Sequence, residues 1–194
     1  MERNEGTSAL KSDTRYSLAD WRSWPEGERW ELINGFAFGM SPAPRVRHQR
    51  YGFDLGRRLG NFLENKPCQL FMAPLDVFLE EISATVVEPD VLVVCDEAKI
   101  GEDGIHGAPD FIAEVLSDST ANKDFGVKKE LYERTGVREY WIIQTDTGTV
   151  YQYVQDADSL VTGKPGFSPV REHRKGRAVE SVIFPGFKWR ALES

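Results

Sequence analysis

The chain has 194 residues, 24 of them Lys or Arg and 31 Asp or Glu, for a formal net charge of −7. With 40% hydrophobic and 28% charged residues, it has the make-up of a globular protein of one domain, long enough to bury a core without disulfides or metal staples. The longest apolar run, Val91 to Cys95, is far short of the roughly 20 residues of a bilayer span, and the acidic balance excludes a broadly basic coating of nucleic acid.

Residues 1–15 have no apolar h-region and read as a flexible tail ahead of a single domain over 16–194. Ser17 to Trp24 is expected as a short helix capped by Ser17, with Leu18, Trp21 and Trp24 on one face. Strands Arg29–Ile33 and Phe36–Met40 flank Asn34-Gly35, a hairpin turn signal. From Val46 to Asn65 the apolar spacing of Tyr51, Leu55, Leu59, Phe62 and Leu63 gives an amphipathic helix. Phe71–Glu81 and Val86–Cys95 read as strands, the second central because it is nearly continuous in Val and Leu.

A polar loop over Glu97–Gly107 precedes a strand at Pro109–Leu116. Capping side chains at Ser117-Asp118-Ser119-Thr120 then open a helix from Ala121 to Thr135, closed by Gly136. Arg138–Gln144 and Val150–Val154 form a hairpin, and short edge strands follow near Ser168–His173 and Val179–Ile183. The class is α/β (α+β), a sheet carrying helices, with long hairpins. Cys68 and Cys95 form no CxxC pair and are expected as reduced, buried thiols of a cytoplasmic protein.

Two acids interrupt apolar strands: Asp90 in EPDVLVV and Glu114 in PDFIAEVLS. A carboxylate inside a strand is expensive unless paired or bound to a cation. Each alone could face solvent; on neighbouring strands they suggest two oxygen ligands for a hard divalent ion. On a helical wheel of about 100° per residue, Lys128 falls about 30° from the centre of the face formed by Ala121, Phe125 and Tyr132, and Lys129 about 70° away. Lys128 is thus aimed at the sheet, either snorkelling or reaching the carboxylates. Glu31 alternates with apolar neighbours on a hairpin strand. Five arginines, Arg45, Arg47, Arg50, Arg57 and Arg58, with His48 among them, stand against one acid, Asp54. The segment is either a solvated helix face or a phosphate contact.

These residues together resemble the PD-(D/E)xK nuclease superfamily, and within it the Uma-type restriction endonuclease family. The likeness runs over about residues 29–154, through WELINGFAFGMSP, His48 opening a helix, EPDVLVV, GAPDFIAEVLS, STANKDFGVK and LYERTGVREYWII. It implies a restriction-endonuclease-like mixed β-sheet flanked by helices, and a DNA phosphodiesterase site dependent on Mg²⁺, with Mn²⁺ as substitute. By that likeness Asp90 and Glu114 are metal ligands and Glu31 an additional acid. The superfamily lysine normally follows the acid by two positions, where this chain has Leu116; the family moves it to the next helix, which points to Lys128. Many relatives are acidic after the EYW strand, where this chain has Gln144-Thr145-Asp146. Arg45, Arg47, His48 and Arg50 would contact nucleic acid, and a homodimer is the default for a nuclease that cuts both strands. The alternative is a catalytically silent nucleic-acid-binding or scaffold protein of the same fold. P-loop, GxSxG and HExxH motifs do not occur.

Overall fold

The computed structural model describes residues 13–25, 29–40, 43–80, 83–117, 121–156 and 166–192. Most of the expected tail, and the capping residues 118–120, lie outside them. Helix α1 (Leu18–Arg22) is opened by a capping box in which Ser17 and Asp20 satisfy each other's backbone N–H groups. Strands β1 (Trp30–Ile33) and β2 (Phe36–Gly39) turn through Asn34 and Gly35, both at positive φ (53° and 79°), as a two-residue hairpin loop demands. Helix α2 spans Val46–Leu63.

Each of the next two expected strands is divided. The first becomes β3 (Gln69–Met72) and β4 (Val77–Glu80), the second β5 (Thr85–Val87) and β6 (Val91–Val94). Pro74 and Pro89, which have no N–H to give a ladder, sit at the two breaks. There the chain changes sheet: β3 and β6 belong to one, β4 and β5 to the other. The expected loop after β6 carries a short β7 (Ile105–His106), and β8 (Phe111–Val115) follows. A helical crossover made of α3 (Ala121–Lys123), a segment kinked at Gly126 (Asp124–Lys128) and α4 (Lys129–Thr135) leads to β9 (Glu139–Gln144). It ends on Gly136 at φ 90°. Strands β10 (Thr149–Val154), β11 (Arg171–His173), β12 (Ala178–Glu180) and β13 (Lys188–Arg190) complete the order; β13 was not expected.

The six-stranded sheet runs β11-β10-β9-β8-β6-β3, with β8 and β9 parallel across the crossover and the other pairs antiparallel. A five-stranded sheet, β2-β1-β5-β4-β7, and the β12–β13 hairpin accompany it. Alternate strand residues feed two cores. Val91, Val93, Ala113, Val115 and Trp141 pack with Tyr51, Leu55 and Leu59 of α2 and with the terminal hairpin. Leu92, Ile112 and Ile142 pack with Val77 and Val87 of the second sheet and with Leu131 and Tyr132 of α4. Among the described residues no helix is long and apolar enough to cross a membrane.

Cys68 and Cys95 form a disulfide, with Cα atoms 3.9 Å apart, which corrects the expectation of two reduced thiols. Antiparallel pairing of β3 with β6 sets Gln69 opposite Val94, so the next pair outward is Cys68 facing Cys95. That adjacency comes from the sheet and could not be read from the spacing of the cysteines.

Glu139 is fully buried and has no ion-pair partner among the described residues, yet both its oxygens are occupied. Oε1 accepts from Trp141 Nε1 and Gln152 Nε2, each at 2.7 Å. Oε2 accepts from Ser181 Oγ (2.8 Å) and from the N–H groups of Val182 (2.9 Å) and Ile183 (3.0 Å). It thereby ties the connection after β12 to β9. Replacing it by Leu strands several buried donors, at ~1–3 kcal/mol each when uncompensated. Glu139→Leu is expected to lose ~3–5 kcal/mol in urea unfolding, and a loss below ~1 kcal/mol would refute that role.

Candidate active site

The period-two alternation of strands assembles the site. On β8, Ala113 and Val115 face α2, so Ile112, Glu114 and Leu116 face the other way, toward the helical crossover. On β6, Val91 and Val93 face α2, which turns Asp90 and Leu92 to the same side as Glu114. Val91 is registered with Ala113, and one step along, Asp90 lies beside Glu114. Val115 N–H donates to Asp90 Oδ2 at 2.7 Å.

The crossover brings cations to these acids. Lys128 Nζ lies 2.8 Å from Glu114 Oε1 and 2.7 Å from Glu31 Oε1. Tyr132 OH donates to the same Glu114 oxygen at 2.8 Å. Lys123 Nζ donates to Glu31 Oε2, and Asp124 Oδ1 stands 3.9 Å from Lys128 Nζ. Glu31, on β1, also accepts from Glu88 N–H at 3.1 Å. Glu31, Glu114, Asp124, Lys123 and Lys128 are all buried. Leu116, at the ordinary lysine position, is a buried apolar residue.

Electrostatics separates the acids. Burial opposes ionisation of Glu31, but the charges and hydrogen bonds of Lys128 and Lys123 outweigh it and hold its carboxyl at about 2. Glu114 is pushed up to about 8 by burial, against the pull of Lys128 and with the help of Asp124, Asp90 and Glu31. Lys128 is raised: burial disfavours its charge, but Glu114, Glu31 and Asp124 dominate.

His48 was expected on the nucleic-acid surface with the arginines. Instead its Nε2 is 3.2 Å from Asp90 Oδ2 and its side chain is only 16% exposed. Burial lowers its pKa, but hydrogen bonding and charge from Asp90 prevail and the net shift is upward. Arg45, Arg47 and Arg50 are exposed at the start of α2, with Arg47 paired to Asp146. Arg57 and Arg58 are held on Asp54, at 3.1 and 2.9 Å, so they contribute less free positive charge than their number suggests.

The structure therefore brings Glu31, Asp90, Glu114 and Lys128 together, with His48, and leaves the three arginines outside. Sequence reasoning missed Lys123, Asp124 and Tyr132 as members of the cluster. Asp124 was visible as the acid of STANKDFGVK. Lys123 was not, because a uniform α-helix would place it ~140° from Lys128.

The donor set fits a hard cation. Among the described residues the hydrogen bonds and ion pairs of the two acids fall on Asp90 Oδ2 and Glu114 Oε1. Among those residues no group of three or more His, Cys, Asp or Glu is arranged to hold a metal ion. Two carboxylates without a full protein cage suit Mg²⁺, which keeps waters and takes substrate phosphate as further ligand.

The model of the Uma2 family, described as "Putative restriction endonuclease", matches residues 18–190, a span that takes in α1 and the terminal hairpin. A crystal structure from Anabaena variabilis ATCC 29413, described as a "putative nuclease belonging to DUF820", superposes with a TM-score of 0.68 at 18% identity, covering 87% of this chain and 90% of that one. At that identity it shows the fold alone, the mixed α+β architecture that the two chains share. No curated protein matches the chain.

Proposed function

Because the chain belongs to the Uma2 family, we propose that it is a divalent-metal-dependent endonuclease hydrolysing DNA phosphodiester bonds at Asp90, Glu114 and Lys128. The observation that carries this reading is the approach of Lys128 Nζ to Glu114 Oε1, 2.8 Å, beside the Asp90 carboxylate of the adjoining strand. Asp90 and Glu114 would hold Mg²⁺, or Mn²⁺ in its place. Bound there, the ion polarises a phosphoryl oxygen and acidifies a water. Lys128 keeps its proton and donates it in hydrogen bonds to phosphate oxygen or attacking water, the preorganised cation that phosphoryl transfer uses. A homodimer in the cytoplasm would let two such sites meet opposite strands.

The test is calorimetric titration of Mn²⁺ into wild type and Asp90→Asn, followed by incubation of supercoiled plasmid with Mg²⁺ or EDTA. Binding that disappears in the variant, with nicking that EDTA abolishes, is the expected result. Binding in neither protein and no nicking would favour a silent, nucleic-acid-binding relative of nucleases.

A proton count sharpens that titration. With its carboxyl pushed up to about 8, Glu114 is mostly protonated at pH 7, and a cation binds only the carboxylate. Mn²⁺ binding should therefore release close to one proton at pH 7. Its affinity should fall ~10-fold per pH unit below 8 and level off above. Heats measured in buffers of different ionisation enthalpy read the count, and zero release would contradict a neutral Glu114.

DNA contact is assigned to Arg45, Arg47 and Arg50. Replacing all three by Ala should weaken binding and reduce the slope of log K against log salt by up to ~3. An unchanged slope would remove these residues from the interface.

A further inference from the structure

Two buried lysines of the crossover reach one carboxylate, and only a departure from α-helical geometry permits it. Residues five apart on an α-helix are separated by ~140°; a kink between them brings them to one side. Between Asp124 and Lys128 the helix is kinked in this way, with Gly126 outside helical dihedrals at φ −100° and ψ −105°. Lys123 and Lys128 thus both face Glu31. Lys123 Nζ donates to Oε2, and Lys128 Nζ is 2.7 Å from Oε1. The three residues are 9%, 3% and 1% exposed, in the order Lys123, Lys128, Glu31. Two deeply buried cations on one acid are expensive unless another acid offsets part of their charge, and Asp124 Oδ1 stands 3.9 Å from Lys128 Nζ. Lys128 is also 2.8 Å from Glu114 Oε1.

We infer that Lys123 is a positioning residue: it neutralises Glu31, so that Lys128 is delivered to Glu114 instead of being held by Glu31 alone. The inference rests on the reading of Glu114 and Lys128 given above, and it goes beyond that reading in assigning the second lysine a task. Without Lys123 the full charge of Glu31 falls on Lys128. Its ammonium group should then shift toward Glu31 and away from Glu114, whose carboxylate becomes easier to load with a cation. A lysine that merely straps the crossover to β1 would produce no such exchange.

The experiment uses the full chain with Lys123→Gln, which keeps a hydrogen bond to Glu31 without the charge, alongside Lys123→Met and Lys123→Arg. Crystal structures of Lys123→Gln and Lys123→Arg at matched pH give the first readout. In the Gln variant Lys128 Nζ is expected beyond 3.5 Å from Glu114 Oε1, and in the Arg variant at its wild-type distance. Calorimetry gives the second: Mn²⁺ binds several-fold more tightly to the Gln and Met variants, while cleavage loses kcat ~10–100-fold at little change in KM, and Arg restores both. Lys128 remaining on both carboxylates in Lys123→Gln would overturn the inference, as would a fall in melting temperature with kcat and Mn²⁺ affinity unchanged. If wild type cleaves no DNA, the nuclease reading fails, and the position of Lys128 in the variant crystals still decides this one. Should Lys123→Met not fold, the Gln variant carries the test.

Discussion

Asp90→Asn and Glu114→Gln should each reduce DNA cleavage at least ~10³-fold if these acids are the proposed ligands, because an ion held there would supply several kcal/mol of transition-state stabilisation. Neither should disturb the fold. An Asn at 90 still offers an oxygen to Val115 N–H, the contact made at 2.7 Å. A Gln at 114 still accepts from Lys128 Nζ and Tyr132 OH, both at 2.8 Å. Glu114 is already mostly neutral near pH 7, its carboxyl having been pushed up by burial to about 8, so an amide there changes the resting charge little. Melting temperatures within a few degrees of wild type, with Mn²⁺ binding lost, are the accompanying results. Either variant cleaving within ~10-fold of an EDTA-sensitive wild type would separate these acids from the chemistry.

The acids were legible in the sequence because strands advertise their faces. A carboxylate at a position where Ile112 and Leu116 occupy the same face as Glu114 stands out against the period of two. The cap at Ser17, the turn at Asn34-Gly35 and the helix over Val46–Leu63 were legible for similar reasons, each being fixed by side chains within a few residues. What could not be read depends on partners distant in the chain. Cys68 meets Cys95 only through the register of β3 with β6. His48 meets Asp90 only because α2 packs across that sheet, and His48 was accordingly placed with the arginines. The helical wheel found Lys128 and missed Lys123 for one reason: it assumes 100° per residue, and the segment kinked at Gly126 does not keep it. The same segment turns Phe125, expected on the buried face, to 37% exposure against Tyr151.

Lys128→Met is the change that loads the heaviest demand on the site. It removes the cation standing among Glu31, Glu114 and Asp124, at 2.7, 2.8 and 3.9 Å. Breaking a buried pair from one side costs ~3–5 kcal/mol, since the remaining charge is left uncompensated. Two features moderate that cost here: Lys123 still holds Glu31, and Glu114 can remain protonated. An apparent loss of ~2–3 kcal/mol is therefore expected. Turnover should fall ~10²–10³-fold, as when a preorganised donor to developing charge is deleted. Mn²⁺ binding should persist or tighten above pH 8, where the ion replaces the missing cation, so added Mn²⁺ should raise the melting temperature of the variant more than that of wild type. Lys129 supplies the control, because its Nζ is bound to Glu133 Oε2 at 2.7 Å, away from the carboxylate pair. Lys129→Ala should leave kcat within ~3-fold of wild type. If Lys129→Ala proved the more damaging of the two, the cation at the site would not be Lys128, and the geometry of the crossover would have to be reassigned around it.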